Sequence, residues 1–408
     1  MNLKTIEHFS PGNKALIYIH KRILDENYRG NISSQHNRFS LERISVILNL
    51  LNDFSNAKKQ LLRIRTTDTK NRPLNEPEEF EYAKFTERVK IEIGIGTQDS
   101  LRKNFFVDFQ RMGLINRYSE EKELLGAFSG SPVYYVDLSN LGLQFITSSP
   151  QNQNFIYSKA LNNYLPGYID NLIDLMTDEI EPLKYITPEE FMFFVSGINC
   201  GFDFSITYRE CHELIQSYRL LSPTQRKGLN DFLKSSLKPE NFKGNKKQQR
   251  DFHNWKNKAD QMFAILSESV YFEKHKDYLV LTKKNGLFED ATKLVRSIQQ
   301  KGEYFKNHGV GKQIGFELHH IIPLAYAVDV SSFKALDNWK NMLYIDGHKH
   351  SIITQQGSKH IFLSSRGNDL LLSDLVDVIE LLYQKNVIYG LRKQAEIIRH
   401  NKELINGI

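Results

Sequence analysis

Residues 316–353, FELHHIIPLAYAVDVSSFKALDNWKNMLYIDGHKHSII, carry the strongest structural signal in the chain. The first seven residues have the composition of a β-strand, and Pro323 ends it because proline lacks the N–H that a central strand needs. A second β-like run, residues 342–345, is followed by an Asp-Gly turn and a predicted helix start. The stretch therefore predicts the order strand, loop, strand, helix.

Histidines occupy both ends of this predicted unit. His319 and His320 are adjacent on the first strand, whereas His348 and His350 lie at the helix start. Neighbouring residues in a strand point to opposite faces, so His319 and His320 suit separate roles rather than one shared cation. Hydrolysis of a phosphodiester needs a base for the attacking water and an electrophile for the phosphate charge. The alternative is that His319 and His320 are buried structural histidines and that His348 and His350 lie on an exposed turn.

The motif LHHIIPL, with Asn341 and then a histidine nine residues later, resembles the signature of HNH nucleases. The resemblance implies a ββα-metal module. It further implies that His319 and His350 bind the metal, that His320 is the general base, and that Asn341 organises the loop that carries the base. His348 is an alternative distal ligand.

Two further features of this stretch bear on the resemblance. Asn338 is an alternative to Asn341 as the organising residue, and Glu317 is expected at the surface or behind a ligand. Many HNH relatives also carry paired Cys-x-x-Cys motifs for a structural zinc, which this sequence lacks. Packing alone is therefore expected to hold the small fold together.

Two neutral imidazoles would leave the remaining metal positions to phosphate oxygen and water, which fits Mg²⁺. Imidazole also accepts Mn²⁺, Ni²⁺ or Zn²⁺, so these ions are alternatives for the same site. A histidine base must be neutral to accept a proton. Activity is therefore expected to fall as the pH drops through the titration range of imidazole.

A second segment, residues 94–146, predicts a helix followed by two strands. Thr97 suits the N-cap of the helix, and Gly113 its end. Two β-like runs, residues 114–118 and 133–138, come next, and a turn is expected at 138–146. The apolar stripe of the helix is formed by Leu101, Phe105, Phe109 and Met112.

This order resembles a winged helix-turn-helix domain, which implies that the helix lies in the DNA major groove. Winged helices also mediate protein contacts, and that is the alternative. The candidate base or phosphate contacts at the helix start are Gln98, Ser100, Arg102, Lys103 and Asn104.

Residues 187–285 predict a second domain of similar kind. Residues 187–195 begin with a Thr-x-x-Glu capping box, further helices follow, and residues 269–286 predict a hairpin. Between them, near Trp255, lies the most cationic stretch of the chain. Its candidate phosphate contacts are Lys246, Lys247 and Arg250, and a solvated loop and helix face is the alternative.

The predicted fold class is α+β and multidomain, with mainly helical winged-helix domains before a C-terminal ββα-metal module. Residues 14–65 predict two amphipathic helices, and residues 370–383 and 389–404 predict two more behind the nuclease module. The predicted domains are an N-terminal helical region (1–80), a winged-helix domain (81–180), a second helical or winged-helix-like domain (185–286) and a nuclease domain with C-terminal helices (287–408).

Composition sets outer bounds on the function. The 54 Lys and Arg against 48 Asp and Glu give a net charge of +6, which permits a polyanionic partner. Two cysteines exclude a disulfide framework or a four-cysteine zinc cage within one chain. No signal-peptide core and no run of about 18 apolar residues is present. A soluble protein of a prokaryotic cytoplasm, without a membrane partner, is expected.

As a whole the chain resembles type II restriction endonucleases, in particular those of type IIS, which recognise an asymmetric site and cut a short distance away. The resemblance implies sequence-specific cleavage of double-stranded DNA. Double-strand scission then needs either a homodimer on DNA or sequential nicking, and a cognate DNA methyltransferase is expected genetically. The alternatives are a winged-helix regulator with a non-catalytic HNH fold, and a nuclease acting on RNA or modified DNA.

Overall fold

The computed structural model describes residues 3–25, 40–64, 77–94, 97–177, 181–201, 203–238, 252–275, 277–282, 293–355, 360–374 and 379–407. Within these ranges helices predominate, and the strands form small antiparallel sheets. Buried apolar side chains form two separate cores, the smaller one within the C-terminal part of the chain. The α+β, multidomain class is therefore confirmed.

The chain begins with two helices, α1 (Leu3–Glu7) and α2 (Lys14–Leu24). The Asn13 side chain caps α2 by accepting a hydrogen bond from the backbone N–H of Leu16. Helix α3 (Leu41–Phe54) follows, so both helices predicted between residues 14 and 65 are confirmed. The polar sequence between them, residues 29–38, lies outside the described residues.

Helix α3 opens a module that runs to residue 147 and contains a three-stranded sheet of order β1-β3-β2. The predicted strands at 114–118 and 133–138 are both present. The remaining elements are β1 (Leu62–Arg63), α4 (Pro77–Ile93), α5 (Gln98–Ser100), a π-helical turn (Leu101–Phe105), α6 (Phe106–Arg111), β2 (Ile115–Tyr118), β3 (Tyr135–Leu138) and α7 (Asn140–Thr147).

The composite helix from Gln98 to Arg111 forms as the sequence predicts. Thr97 and Ser100 make a capping box at its start, and Gly113 has φ +78° just after its end. Its stripe of Leu101, Phe105, Phe109 and Met112 is fully buried. The helix therefore packs on its apolar side.

Two details of this module differ from the expectation. Residues 140–147 form helix α7 rather than a turn, and Gly142 lets α7 approach β2, because a Cβ there would lie 2.0 Å from the Leu114 carbonyl oxygen. Strand β1 pairs with β3 through Leu62 and Val136. The sheet therefore includes residues that precede residue 81, where the winged-helix domain was predicted to begin. A two-residue strand carries no periodicity that sequence analysis could detect.

The middle of the chain is helical and ends in a hairpin. The capping box of Thr187 and Glu190 and the hairpin are confirmed. An isolated antiparallel bridge joins Ile186 to Leu279. The elements are α8 (Pro150–Tyr164), α9 (Tyr168–Met176), α10 (Pro188–Phe193), α11 (Tyr208–Arg219), α12 (Pro223–Ser236), α13 (Phe252–Ser267), β4 (Phe272–His275) and β5 (Tyr278–Leu281).

Trp255 belongs to the core of this middle region. It is fully buried, and the guanidinium of the buried Arg22 lies 5.1 Å from its ring centroid. Arg22 also donates hydrogen bonds to the carbonyl oxygens of Met192 and Phe193, both at 2.8 Å. The indole is therefore a core side chain and is not available to a nucleic acid beside the cationic stretch.

The C-terminal part contains the predicted strand, loop, strand and helix as β6, β7 and α16. Strand β7 is central in a sheet of order β11-β7-β6, and β8 to β10 form a second sheet of order β10-β9-β8. The elements are α14 (Lys293–His308), β6 (Phe316–His320), α15 (Val330–Leu336), β7 (Met342–Asp346), α16 (Gly347–Gln355), β8 (Phe362–Arg366), β9 (Asp369–Ser373), β10 (Ile379–Leu382), β11 (Val387–Ile388) and α17 (Gln394–Gly407).

The helix predicted at residues 370–383 is wrong, because this segment contains strands β9 and β10. Burial along β9 alternates with period two: Leu370 and Leu372 are fully buried, whereas Leu371 is only partly so. The dense apolar sequence concealed that alternation. Only α17 remains of the two expected C-terminal helices, and it packs against β8.

Among the described helices, none combines the length and apolar character that a bilayer span requires.

Candidate active site

Strand β6 places His319 and His320 on opposite faces of the small sheet. They pair in antiparallel register with Leu343 and Met342 of β7. Helix α16 starts directly after β7, so His350 lies in its first turn. Because α16 follows β7 without a loop, the chain turns at Gly347 and brings His350 to the His319 face of the sheet.

His319 and His350 are in contact. Their ring centroids lie 5.0 Å apart at an interplanar angle of 67°, and the two residues are 6% and 3% exposed. Rings at this separation can direct one nitrogen each at a common point. The structure thus brings together the two residues predicted as metal ligands.

Glu317 fixes the orientation of the His350 ring. Its Oε2 lies 2.5 Å from His350 Nδ1, so Nδ1 carries the proton and Nε2 is left for a ligand role. Burial disfavours the charged ring, but the hydrogen bond and charge of Glu317 outweigh burial and raise the pKa of His350. The carboxylate therefore favours positive charge at this ring.

The net pKa shift at His319 is in the opposite direction. Burial lowers the pKa of His319 well below the usual value, and the positive charges that His350, His320 and His360 can carry lower it further. The ring is therefore neutral, which is the state that binds a metal.

The donor set fits a divalent cation with open coordination positions. Two imidazoles, one backed by a carboxylate, provide two nitrogen donors in a cation-favouring environment. No cluster of three or more His, Cys, Asp or Glu side chains suited to a metal occurs in the ranges that the structure describes. Solvent or substrate oxygens would complete the shell of an ion held by two imidazoles.

His320 faces Asp337 at the end of α15. Its Nε2 lies 3.9 Å from Asp337 Oδ1, and Nε2 is buried without a hydrogen-bond partner among the described residues. A carboxylate at this distance stabilises the imidazolium that forms when a histidine accepts a proton. Asp337 was not identified from the sequence, since one aspartate in a polar loop carries no distinguishing signal.

Asn341 is fully buried and fixes the chain just after the two histidines. Its Nδ2 donates to the carbonyl oxygens of Ile322 and Leu336, and its Oδ1 accepts from the N–H of Ile322. Asn338 instead caps the following 3₁₀ turn by accepting from the N–H of Lys340. The geometry therefore favours Asn341 over Asn338 as the organising residue.

The other histidines of the module divide by exposure. His348 is exposed, whereas His350 packs against His319, which favours His350 as the distal ligand. His360 is 2% exposed, and both of its ring nitrogens lack a hydrogen-bond partner among the described residues. Its proximity to His319 is evident only from the folded chain.

A cleft of about 540 Å³ opens onto the Glu317 side of His350. Its charged lining is mixed: Arg209, Lys301 and Lys312 are cationic, whereas Asp174, Glu213 and Glu317 are acidic. Arg209 Nε lies 3.9 Å from Glu317 Oε1. The cleft thus lies between the middle region and the C-terminal part of the chain, beside His350.

The candidate DNA contacts near Thr97 are more exposed than the histidines of the candidate active site. Lys103 is exposed and Arg102 partly so, and both pair with Asp99, at 2.9 and 3.1 Å. The Ser100 hydroxyl is engaged in the capping box. Gln98 and Asn104 are partly buried, and Tyr82 donates to the Gln98 carbonyl oxygen.

The remaining candidates, Lys246, Lys247 and Arg250, lie outside the described residues. Their phosphate contacts stay a prediction.

Comparison with known families identifies the class. Two family models match the chain, and each describes a domain of a type IIS restriction enzyme. They are the MboII middle domain, matched by residues 40–149, and the MboII C-terminal domain, matched by residues 297–408; together they span more than half of the chain. The matches support a type IIS restriction enzyme, and such domains imply a sequence-specific DNA endonuclease.

The matches coincide with the two structural modules. The first covers α3 to α7, including every candidate contact near Thr97, and the second contains His319, His320, Asn341 and His350. No curated protein and no solved structure matches the chain.

Proposed function

We propose that the chain is a type IIS restriction endonuclease of the HNH class, with its cutting site at His319, His320 and His350. One observation carries the proposal: the His319 and His350 rings converge to 5.0 Å, and Glu317 holds His350 by Nδ1. Two rings at this separation can direct one nitrogen each at one cation. The C-terminal family match supports the same location for the cutting chemistry.

The cation would be Mg²⁺, with Mn²⁺, Ni²⁺ or Zn²⁺ as alternatives. When bound, a divalent ion supplies the positive charge that stabilises the scissile phosphate and the departing oxygen. His319 and His350 would hold it, with phosphate oxygen and water in the remaining positions.

His320 would accept the proton of the attacking water. Asp337 Oδ1, 3.9 Å from His320 Nε2, would stabilise the imidazolium that results. Asn341 keeps the chain after His320 in place through its three hydrogen bonds, so the base does not drift from the phosphate.

Residues 40–149 would recognise the DNA sequence as a winged helix. The element order α3, β1, α4, α5–α6, β2, β3 with sheet order β1-β3-β2 supports this proposal. The helix that starts at Gln98 would enter the major groove. Lys103 is its most exposed cation.

The His320→Ala variant tests the assignment of the base. Plasmid cleavage with Mg²⁺ is expected to fall by about 10² to 10⁴, the usual contribution of general acid–base catalysis, with DNA binding in a gel-shift assay unchanged. His8→Ala, at an exposed histidine near the N-terminus, is the matched control and should cut normally.

Two results would contradict the proposal. Cleavage that survives the His320→Ala change would refute the base assignment. A wild-type protein that binds DNA but never cuts it, with any of the four metals, would favour a DNA-binding regulator.

A further inference from the structure

Asn199, in the middle region, holds the helix that carries His350. Ser351 Oγ donates to Asn199 Oδ1 at 2.7 Å, and Asn199 Nδ2 donates to Thr354 Oγ1 at 2.6 Å. The Thr354 hydroxyl in turn donates to the His350 carbonyl oxygen at 2.9 Å. One amide thus binds two consecutive turns of α16 and reaches the backbone of His350 through Thr354.

The backbone of Asn199 is itself in an uncommon conformation. Its φ is +47°, in the left-handed region that few non-glycine residues adopt and that asparagine tolerates best. Such a conformation persists where the surrounding structure imposes it, and it concentrates at functional sites.

The surroundings of Asn199 impose that conformation. The Asn199 N–H donates to the Ile206 carbonyl oxygen at 3.0 Å, and the Ile206 N–H donates to the Gly197 carbonyl oxygen at 3.1 Å. A Cβ at Gly197 would lie 2.1 Å from the Tyr18 hydroxyl, which itself donates to the Phe204 carbonyl oxygen. The amide therefore projects from a rigid support.

The middle region also contacts the ring side of His350. Arg209 lies beside Glu317, the residue that fixes the His350 ring, and the Tyr208 ring centroid is 6.4 Å from that of His350. His350 is thus held through its ring on one side and through its helix, α16, on the other.

We propose that Asn199 is a positioning residue for the metal ligand His350. The inference rests on the proposed function and extends it, because residue 199 lies between the two family matches, in a part of the chain to which neither assigns a role. Metal ligands must be held within about 0.5 Å of their productive position, and the residues that support them are needed for that precision. The middle region therefore helps to hold one metal ligand of the nuclease module in position.

Direct Mn²⁺ binding to the full-length protein, measured by isothermal titration calorimetry, tests the proposal. Asn199→Gly removes the amide and leaves a residue that adopts positive φ without strain. We expect Mn²⁺ affinity to fall about 10- to 100-fold, the usual cost of losing a residue that supports a ligand. The Mn²⁺ concentration for half-maximal cleavage should rise by the same factor, and cleavage at saturating Mn²⁺ should recover.

Threonine variants separate the amide contact from a general packing effect. Thr354→Val removes the acceptor for Asn199 Nδ2 and should give a smaller loss of Mn²⁺ affinity than Asn199→Gly. Thr86→Val is the matched control, since Thr86 is also buried in a helix and donates to the carbonyl oxygen four residues earlier, at 2.8 Å. Among the described residues, no asparagine forms a hydrogen bond with the Thr86 side chain. Its Mn²⁺ affinity should equal that of the wild type.

His350→Ala distinguishes failure of the inference from failure of the proposed function. Wild-type Mn²⁺ affinity in Asn199→Gly, together with weakened binding in His350→Ala, would overturn the positioning role alone. Unchanged affinity in His350→Ala would overturn the metal site itself.

Discussion

The candidate active site and the start of the helix at Gln98 hold their polar side chains in different ways. His319, His350 and Asn341 are nearly inaccessible, and their partners come from separate strands and helices. Lys103 and Arg102 are accessible to solvent, and both pair with Asp99 of the same helix.

This difference follows from what each region is proposed to do. Catalysis requires fixed geometry before the substrate arrives, and burial with complete hydrogen bonding fixes a side chain. A surface that recognises DNA must displace its own ion pairs to contact phosphates and bases, which exposed pairs permit because they are weak. Changes at the buried region should therefore alter metal binding and stability, and changes at the exposed region should alter affinity for DNA.

Among the changes that test this comparison, Glu317→Gln should have the largest effect. Glutamine can still accept the hydrogen bond of His350 Nδ1, but it lacks the charge that favours a cation at this ring. Calorimetry should show Mn²⁺ affinity lower by about 10- to 100-fold. Glu403→Gln makes the same charge change at an exposed ion pair with Arg399 in the same module, and it should leave Mn²⁺ affinity unchanged.

Acid should destabilise the C-terminal module, which contains the buried region, through His308. Burial and the nearby charge of Lys393 lower the pKa of His308 to about 4, and its Nδ1 accepts a hydrogen bond from the Gly390 N–H at 3.0 Å. Between about pH 6.5 and pH 4 the unfolded ring binds a proton that the folded ring does not, so stability falls as the pH falls. The expected loss from this group at pH 5 is about 2 kcal/mol.

Urea unfolding at pH 7 and pH 5 measures that loss. The His308→Gln variant keeps an acceptor for the Gly390 N–H but cannot titrate, so its stability should depend less on pH over this interval. An equal decrease in wild type and variant would show that His308 is not responsible.

Asp99→Asn should have the smallest effect and should act only on DNA binding. The change releases Arg102 and Lys103 from their shared carboxylate, so affinity for DNA should rise a few-fold, with a steeper dependence on salt. Fluorescence anisotropy at several salt concentrations measures both quantities. Asp53→Asn, the same charge change at an exposed position of α3, is the control, and an equal gain there would indicate net charge alone.

Local signals in the sequence predicted much of the fold. The capping residues Thr97 and Thr187 and the helix end at Gly113 are where the sequence placed them. The strand before Pro323 is also present, but it ends at His320, two residues earlier than predicted. Such features depend on residues within one turn or one strand, which is why they are visible without a tertiary structure.

Segments whose form depends on distant partners were less predictable. Residues 369–373 became a strand because β8 and β10 flank them, although their leucines also suit a helix. The two-residue strand β1 exists only through its pairing with β3.

The sequence by itself determined the chemistry that is present: two adjacent histidines on a strand, an asparagine before the next strand and a histidine at a helix start. The tertiary structure decided which of them meet. It turned His350 rather than His348 toward His319, placed Glu317 behind the ring, and brought Asn199 from more than 150 residues away to α16. The reason is physical: residue type and local spacing are encoded along the chain, whereas contact between distant side chains is fixed only when the cores pack.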